Sequence, residues 1–186
     1  MTRIFCLLLL LALPLAARAD QPRYVPSRDV AITYSSAGSE AAMPARIVLR
    51  YFAVADRIRL ESNTGPYVLL DRTVERVEMV LPDARIAMEL PQGAGLTQGF
   101  LLGAGLNFRR TGSASVLGRA CTTYEVTLET RHATACITSD GLLLRGEGSD
   151  PSGRMAKFEA VSVSFAPQSP GLFSPPDTYR YVQLPH

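Results

Sequence analysis

Among 186 residues the sequence has no tryptophan, two histidines, three cysteines and a single lysine, Lys157. The scarcity of lysine and that of histidine each remove a class of function. With arginines scattered among carboxylates and almost no lysine, no basic stripe follows a phosphate backbone, so nucleic acid is not an expected partner. His132 and the final His186 cannot supply a histidine-rich metal centre, and no Gly-x-Ser-x-Gly elbow supports Ser-His-Asp chemistry. The glycine-rich segment near the middle lacks both the Gly-x-Gly-x-x-Gly spacing and a lysine, so it is no phosphate loop. No catalytic constellation, cofactor or metal is expected.

Long apolar runs are also missing. The longest, Ile4 to Leu13, falls short of the roughly 20 residues a spanning helix needs. It follows Met-Thr-Arg and precedes "PLAARA", so it reads as the core of a secretory signal peptide with a small-residue site at Ala17-Arg18-Ala19. Cys6 lies at the start of the run and not at the cleavage point, which argues against lipid attachment. The expectation is a signal peptide over 1–19 and one soluble domain over 20–186, exported, with no transmembrane segment in the mature chain. Removing the leader takes away Arg3 and Arg18 and leaves seventeen basic against seventeen acidic residues, so net charge points to no partner.

What is present is alternation. Val30, Ile32 and Tyr34 share one parity; "ARIVLRYFAV" (45–54), "DRIRLES" (56–62), "PYVLLD" (66–71), "ERVEMVL" (75–81) and "ARIAMEL" (84–90) continue the pattern between turn residues. Period two marks antiparallel strands half buried on one side. After the glycine-rich segment come "SASVLG", "ACTTYEVTL", "HATACITS", a Ser139-Asp140-Gly141 corner, "LLLRGE" and "RMAKFEAVSVSF". Asp-Gly between apolar runs is a strong hairpin signal. The proline-rich tail "APQSPGLFSPPDTYRYVQLP" carries Leu172, Phe173, Tyr179, Tyr181 and Val182, which is more apolar area than a disordered end carries, so it reads as an ordered strap and a last short strand.

Cys121 and Cys136 are the only cysteines beyond the leader, and they fall on consecutive strands of one hairpin. An even count in an exported chain points to a cross-strand disulfide, with residue 121 opposite residue 136. A metal site with His132 would be an incomplete set for zinc. The run "GAGLTQGFLLGAGLN" (93–107) has five glycines, no charge and several large apolar residues. It reads as core packing, as a connector, or as an apolar flap over a cavity.

Taken together, the leader, the "LLDRTVERVEMVLPDARIAMELP" segment, the "GRACTTYEV" and "ACITSDGLLLR" strands and the "LF-x-PP-x-x-Y" ending (Leu172, Phe173, Pro175, Pro176, Tyr179) resemble the LolA-like superfamily of periplasmic lipoprotein carriers and related envelope proteins. The resemblance implies a mainly β fold: a single antiparallel meander forming an open half-barrel with little helix, whose concave apolar face can hold acyl chains. Two features depart from that pattern. The first strand follows the leader almost directly, leaving little room for a long N-terminal helix, and the 93–107 run stands where inner helices are expected.

An open apolar face needs a cover, and Leu96, Phe100, Leu101, Leu102, Leu106 and Phe108 could form a lid that glycines keep movable. The expected function is therefore non-enzymatic binding of a lipid, acyl chain or lipidated partner such as a lipoprotein in the periplasm. The alternative is a structural or interaction module of the cell envelope with no small ligand.

Overall fold

A computed structural model describes residues 21–38, 45–63, 65–90, 105–128, 131–149 and 155–183. The expected leader lies outside them. The alternating segments form twelve strands: β1 (Val30–Gly38), β2 (Arg46–Phe52), β3 (Arg57–Ser62), β4 (Tyr67–Asp71), β5 (Arg76–Leu81), β6 (Ile86–Glu89), β7 (Asn107–Val116), β8 (Arg119–Leu128), β9 (Arg131–Ile137), β10 (Leu143–Ser149), β11 (Met155–Ser164) and β12 (Arg180–Gln183). All belong to one sheet in the order β12-β6-β5-β4-β3-β2-β1-β11-β10-β9-β8-β7. The pairings are antiparallel except that β12 runs parallel to β6. Its two end strands do not pair with each other, so the sheet is an open half-barrel. Helix among the described residues is confined to two 3-10 turns, Ala53–Ala55 and Pro170–Phe173.

The sheet curls. Tyr34 on β1 donates its hydroxyl to the carbonyl of Leu143 on β10 at 2.8 Å, reaching past β11. Arg119, at the start of β8, sits 5.2 Å from the ring centre of Phe165, just beyond β11. In a flat sheet those elements would stand roughly 10 and 14 Å apart. We call the side bearing Tyr34 the inner face. Val30, Ile32, Tyr34, Tyr51, Ile58, Leu70 and Val77 are buried in its main cluster, with Leu49, Leu60 and Val68 half-buried beside them.

The strand β4 is buried on both sides, which alternation alone does not anticipate. Leu70 belongs to the inner cluster, while its neighbours Tyr67 and Leu69 pack outward with Val80, Ala87 and Tyr179. The tail explains this. Asp29 anchors its beginning: Oδ2 accepts from Gln168 N and Oδ1 from Ala53 N, both at 2.8 Å. Phe173, buried to 4 % exposure, then stacks on Phe52 at 5.4 Å, and Arg59 donates to the Leu172 carbonyl at 2.9 Å while lying 3.6 Å above the Tyr67 ring. Finally β12 extends the sheet beside β6, as the strap reading expected.

Two sequence expectations need correction. Cys136 stands opposite Thr123, not Cys121, because the loop between the paired Leu128 and Arg131 is only two residues long and that length sets the register. A slip of two preserves facing, so the cysteines still meet: Cys121 and Cys136 are bonded, with Cα atoms 5.4 Å apart. In addition, β7 begins at Asn107, six residues before the expected "SASVLG" strand, because a bulge between Arg110 and Gly112 masks the alternation.

Candidate functional site: the apolar inner face

The inner face carries apolar side chains in both meanders. Gly146 pairs with both Ala135 and Phe158, and a Cβ at 146 would come within 2.4 Å of the Phe158 ring; one at 148 would lie 2.9 Å from the Ala133 Cβ. Glycine is required there by close approach, and the geometry puts Ala133, Ala135 and Phe158 on the same side. Phe158 meets Tyr34 edge-on at 5.2 Å. The second cluster, Leu106, Phe108, Val126, Ala135 and Ile137, therefore continues the inner face toward the β7 edge.

Of the six expected lid residues, Leu96, Phe100, Leu101 and Leu102 lie outside the described residues. Leu106 and Phe108 are buried at 7 % and 6 % exposure, Leu106 just before β7 and Phe108 within it. Tyr24 stacks on Phe108 at 5.3 Å and Tyr124 meets it edge-on at 5.8 Å. The segment leading into β1 thus crosses the inner side, where its next residue, Val25, packs against the Gly141 corner. Sequence reading missed Tyr24, because "QPRYVPSRD" has the composition of a linker. It also missed the pairing of Phe158 with Tyr34, whose signal was the small residues opposite Phe158.

The Tyr34 and Tyr51 phenols on this face are both hydrogen-bonded. Burial pushes the Tyr34 phenol far above its ordinary range, so it stays a neutral donor to Leu143. At the rim, Tyr51 donates to Asp56 Oδ1 at 3.0 Å, and Arg72 Nη1 donates to the same oxygen at 3.0 Å. Burial, then the Asp56 hydrogen bond, raise Tyr51 to about 12. Neither phenol is a base near neutral pH. On the outer side, His132 is exposed beside Glu125, which also pairs with Arg109. Among the described residues no group of three or more His, Cys, Asp or Glu side chains could hold a metal. No helix among them is long and apolar enough to cross a membrane. The chemistry this surface offers is burial of apolar matter.

Solved structures share a similar fold. A structure of PNGF-II matches 84 % of this chain and 31 % of its own with a TM-score of 0.56 at 14 % identity. The Pseudomonas aeruginosa MucA/MucB complex matches 84 % of this chain and 58 % of the other with a TM-score of 0.50, also at 14 % identity. This chain thus spans less than two thirds of either, and at that identity the likeness establishes the fold alone. A LolA superfamily protein from Nitrosomonas europaea is also among the matches, covering 82 % of this chain and 92 % of its own at a TM-score of 0.42 and 11 % identity. No family model and no curated protein matches the sequence.

Proposed function

We propose that this is a non-enzymatic periplasmic binding protein that holds a lipid, an acyl chain or a lipidated partner against the inner face of the half-barrel. The observation that carries the reading is the lining of that face: apolar side chains line the inner side of an unclosed sheet in both meanders, and the Tyr34 and Tyr51 phenols there are hydrogen-bonded. A ligand entering it would bury apolar area and leave both phenols paired. The disulfide fits an exported chain.

The lid belongs to the same proposal. Its described end, Leu106 and Phe108, is fixed to the inner face by Tyr24 and Tyr124, which would give residues 93–105 an anchor from which to cover a bound chain. The test is titration with a fluorescent acyl probe beside thermal melting. Phe100→Asn should weaken probe binding by about tenfold, the worth of one apolar side chain, with little change in melting temperature. Equal affinity in both proteins would refute the lid.

One observation favours the alternative, an envelope module without a small ligand: Phe158 fills the hollow above Gly146, and Val30, Ile32 and Leu70 are already 0–2 % exposed. Solvent extraction of natively purified protein separates the two readings, since only the first releases lipid.

A further inference from the structure

The β2–β3, β4–β5 and β7–β8 turns lie at the same end of the sheet, one rim of the half-barrel, because the antiparallel ladder carries that end across the four strands that separate β2 from β8. Each turn presents an apolar side chain to solvent: Val54 at 85 % exposure, Val74 at 59 % and Leu117 at 49 %. The first two turns are tied down by hydrogen bonds. Ala53 N is pinned by Asp29, and Arg72 N donates to the Asp56 carbonyl at 3.1 Å, tying one turn to the other. The third is strained. Leu117 and Gly118 have φ of 52° and 70°, the two-residue hairpin geometry that favours Asn-Gly, so a leucine in the first position works against the fold. A side chain that is both exposed and strained is not explained by folding.

Charge on the same rim completes the pattern. Arg28 and Arg119 lie on one ring, Phe165, at 3.8 and 5.2 Å from its centre, and among the described residues neither has an ion-pair partner. Carboxylates close by are engaged: Asp29 with backbone donors, Asp56 with Tyr51 and Arg72, and Asp140 with Thr138. Two uncompensated guanidinium groups beside three separate apolar tips do not form a pocket for one side chain of a protein partner. They suit a plane that is apolar within and anionic at its surface.

We propose that this rim docks on a lipid bilayer bearing anionic phosphate headgroups, with Val54, Val74 and Leu117 entering the interface and Arg28 and Arg119 meeting phosphates. The inference does not depend on what the inner face holds. The test is flotation of the disulfide-bonded protein with vesicles of phosphatidylcholine alone or mixed with phosphatidylglycerol. The wild type should float with the mixed vesicles and hardly with the neutral ones. Leu117→Asn should melt no lower than wild type, since Asn suits the turn, yet lose binding by about tenfold, while Arg119→Gln should lose about fivefold.

Val161→Asn, equally exposed but on the outer face away from this rim, should bind as wild type does. Inorganic phosphate should displace the protein no better than chloride at equal ionic strength. The proposal is overturned if the wild type ignores both vesicles, if Leu117→Asn binds undiminished, if Val161→Asn loses as much, or if phosphate alone competes at the arginines. Acyl-probe affinity, measured in the same variants, should not change, and that separates this proposal from the ligand reading.

Discussion

The outer sides of β4 and β11 belong to the same side of one sheet, yet they are treated in opposite ways. Outward residues of β4, Tyr67 and Leu69, are buried beneath the C-terminal strap with Val80 and Ala87. Outward residues of β11, Met155, Lys157 and Val161, are exposed, and Glu159 pairs with Arg145 at 2.6 Å across the ladder. The sequence differs accordingly: "YVLL" is a continuous apolar run, whereas "MAKFEAVSVS" alternates. A strand covered on both sides needs apolar residues at both parities, so a break in alternation marks where another part of the chain must lie. The second meander carries the disulfide, whose two cysteines are buried in the same cluster as Val30 and Tyr34.

The comparison breaks most severely if the strap is removed. Truncation after Gln168 would expose Phe52, Tyr67, Leu69, Val80 and Ala87 and delete Phe173 and Tyr179. At about 2 kcal/mol for each large side chain returned to water, the loss is on the order of 5 kcal/mol or more, comparable to the whole stability of an ordinary domain. Urea denaturation should find the truncated chain largely unfolded at 25 °C. A cooperative transition with an unchanged midpoint would show the strap to be an ornament, and the contrast between β4 and β11 would need another cause.

The second meander should respond to a smaller blow. Replacing both Cys121 and Cys136 by alanine releases a closed loop of 15 residues' separation, worth roughly 3 kcal/mol in the chain-entropy account. The midpoint in urea should fall while the circular dichroism of the folded state is retained. If the double variant were less stable than the strap truncation, the ranking of the two fastenings would be reversed.

How much of this was legible in the sequence follows the same physics. Strands appear where polar and apolar residues alternate, as in β1, β2 and β3, and the Thr138 to Leu142 turn follows from Asp140-Gly141, with Leu142 N donating to Thr138 Oγ1 at 2.9 Å. The cysteine pairing needed only facing parity, which survived an error of two in register. Parity fails where a bulge intervenes, and the start of β7 was hidden for that reason. Contacts between segments far apart in the chain leave the weakest trace: nothing near Tyr24 announces Phe108, and nothing near Arg28 announces Arg119 across the same ring. The rim was invisible because its signal is a residue in the wrong backbone conformation, Leu117, and conformation is not written in composition.

The smallest expected effect lies at the rim end of β4, where Arg57 and Asp71 form an ion pair at 2.9 Å, and it is a matter of pH. Burial pushes the Asp71 carboxyl up, but hydrogen bonds from the Thr73 hydroxyl and N–H and the neighbouring Arg57 guanidinium outweigh it and hold the group below the ordinary carboxylate value. A carboxyl whose pKa is lower in the folded chain than in the unfolded one stabilises the fold above the unfolded value, near 3.9. The contribution fades as pH falls through the folded value. Asp71→Asn should therefore be less stable than wild type at pH 7 by under about 1 kcal/mol, the scale of a partly exposed pair, and the difference should shrink steadily below pH 4. Paired urea titrations across that range measure it. A deficit that persists undiminished at pH 2 would mean that Asp71 acts through shape and the Thr73 turn, and not through its charge.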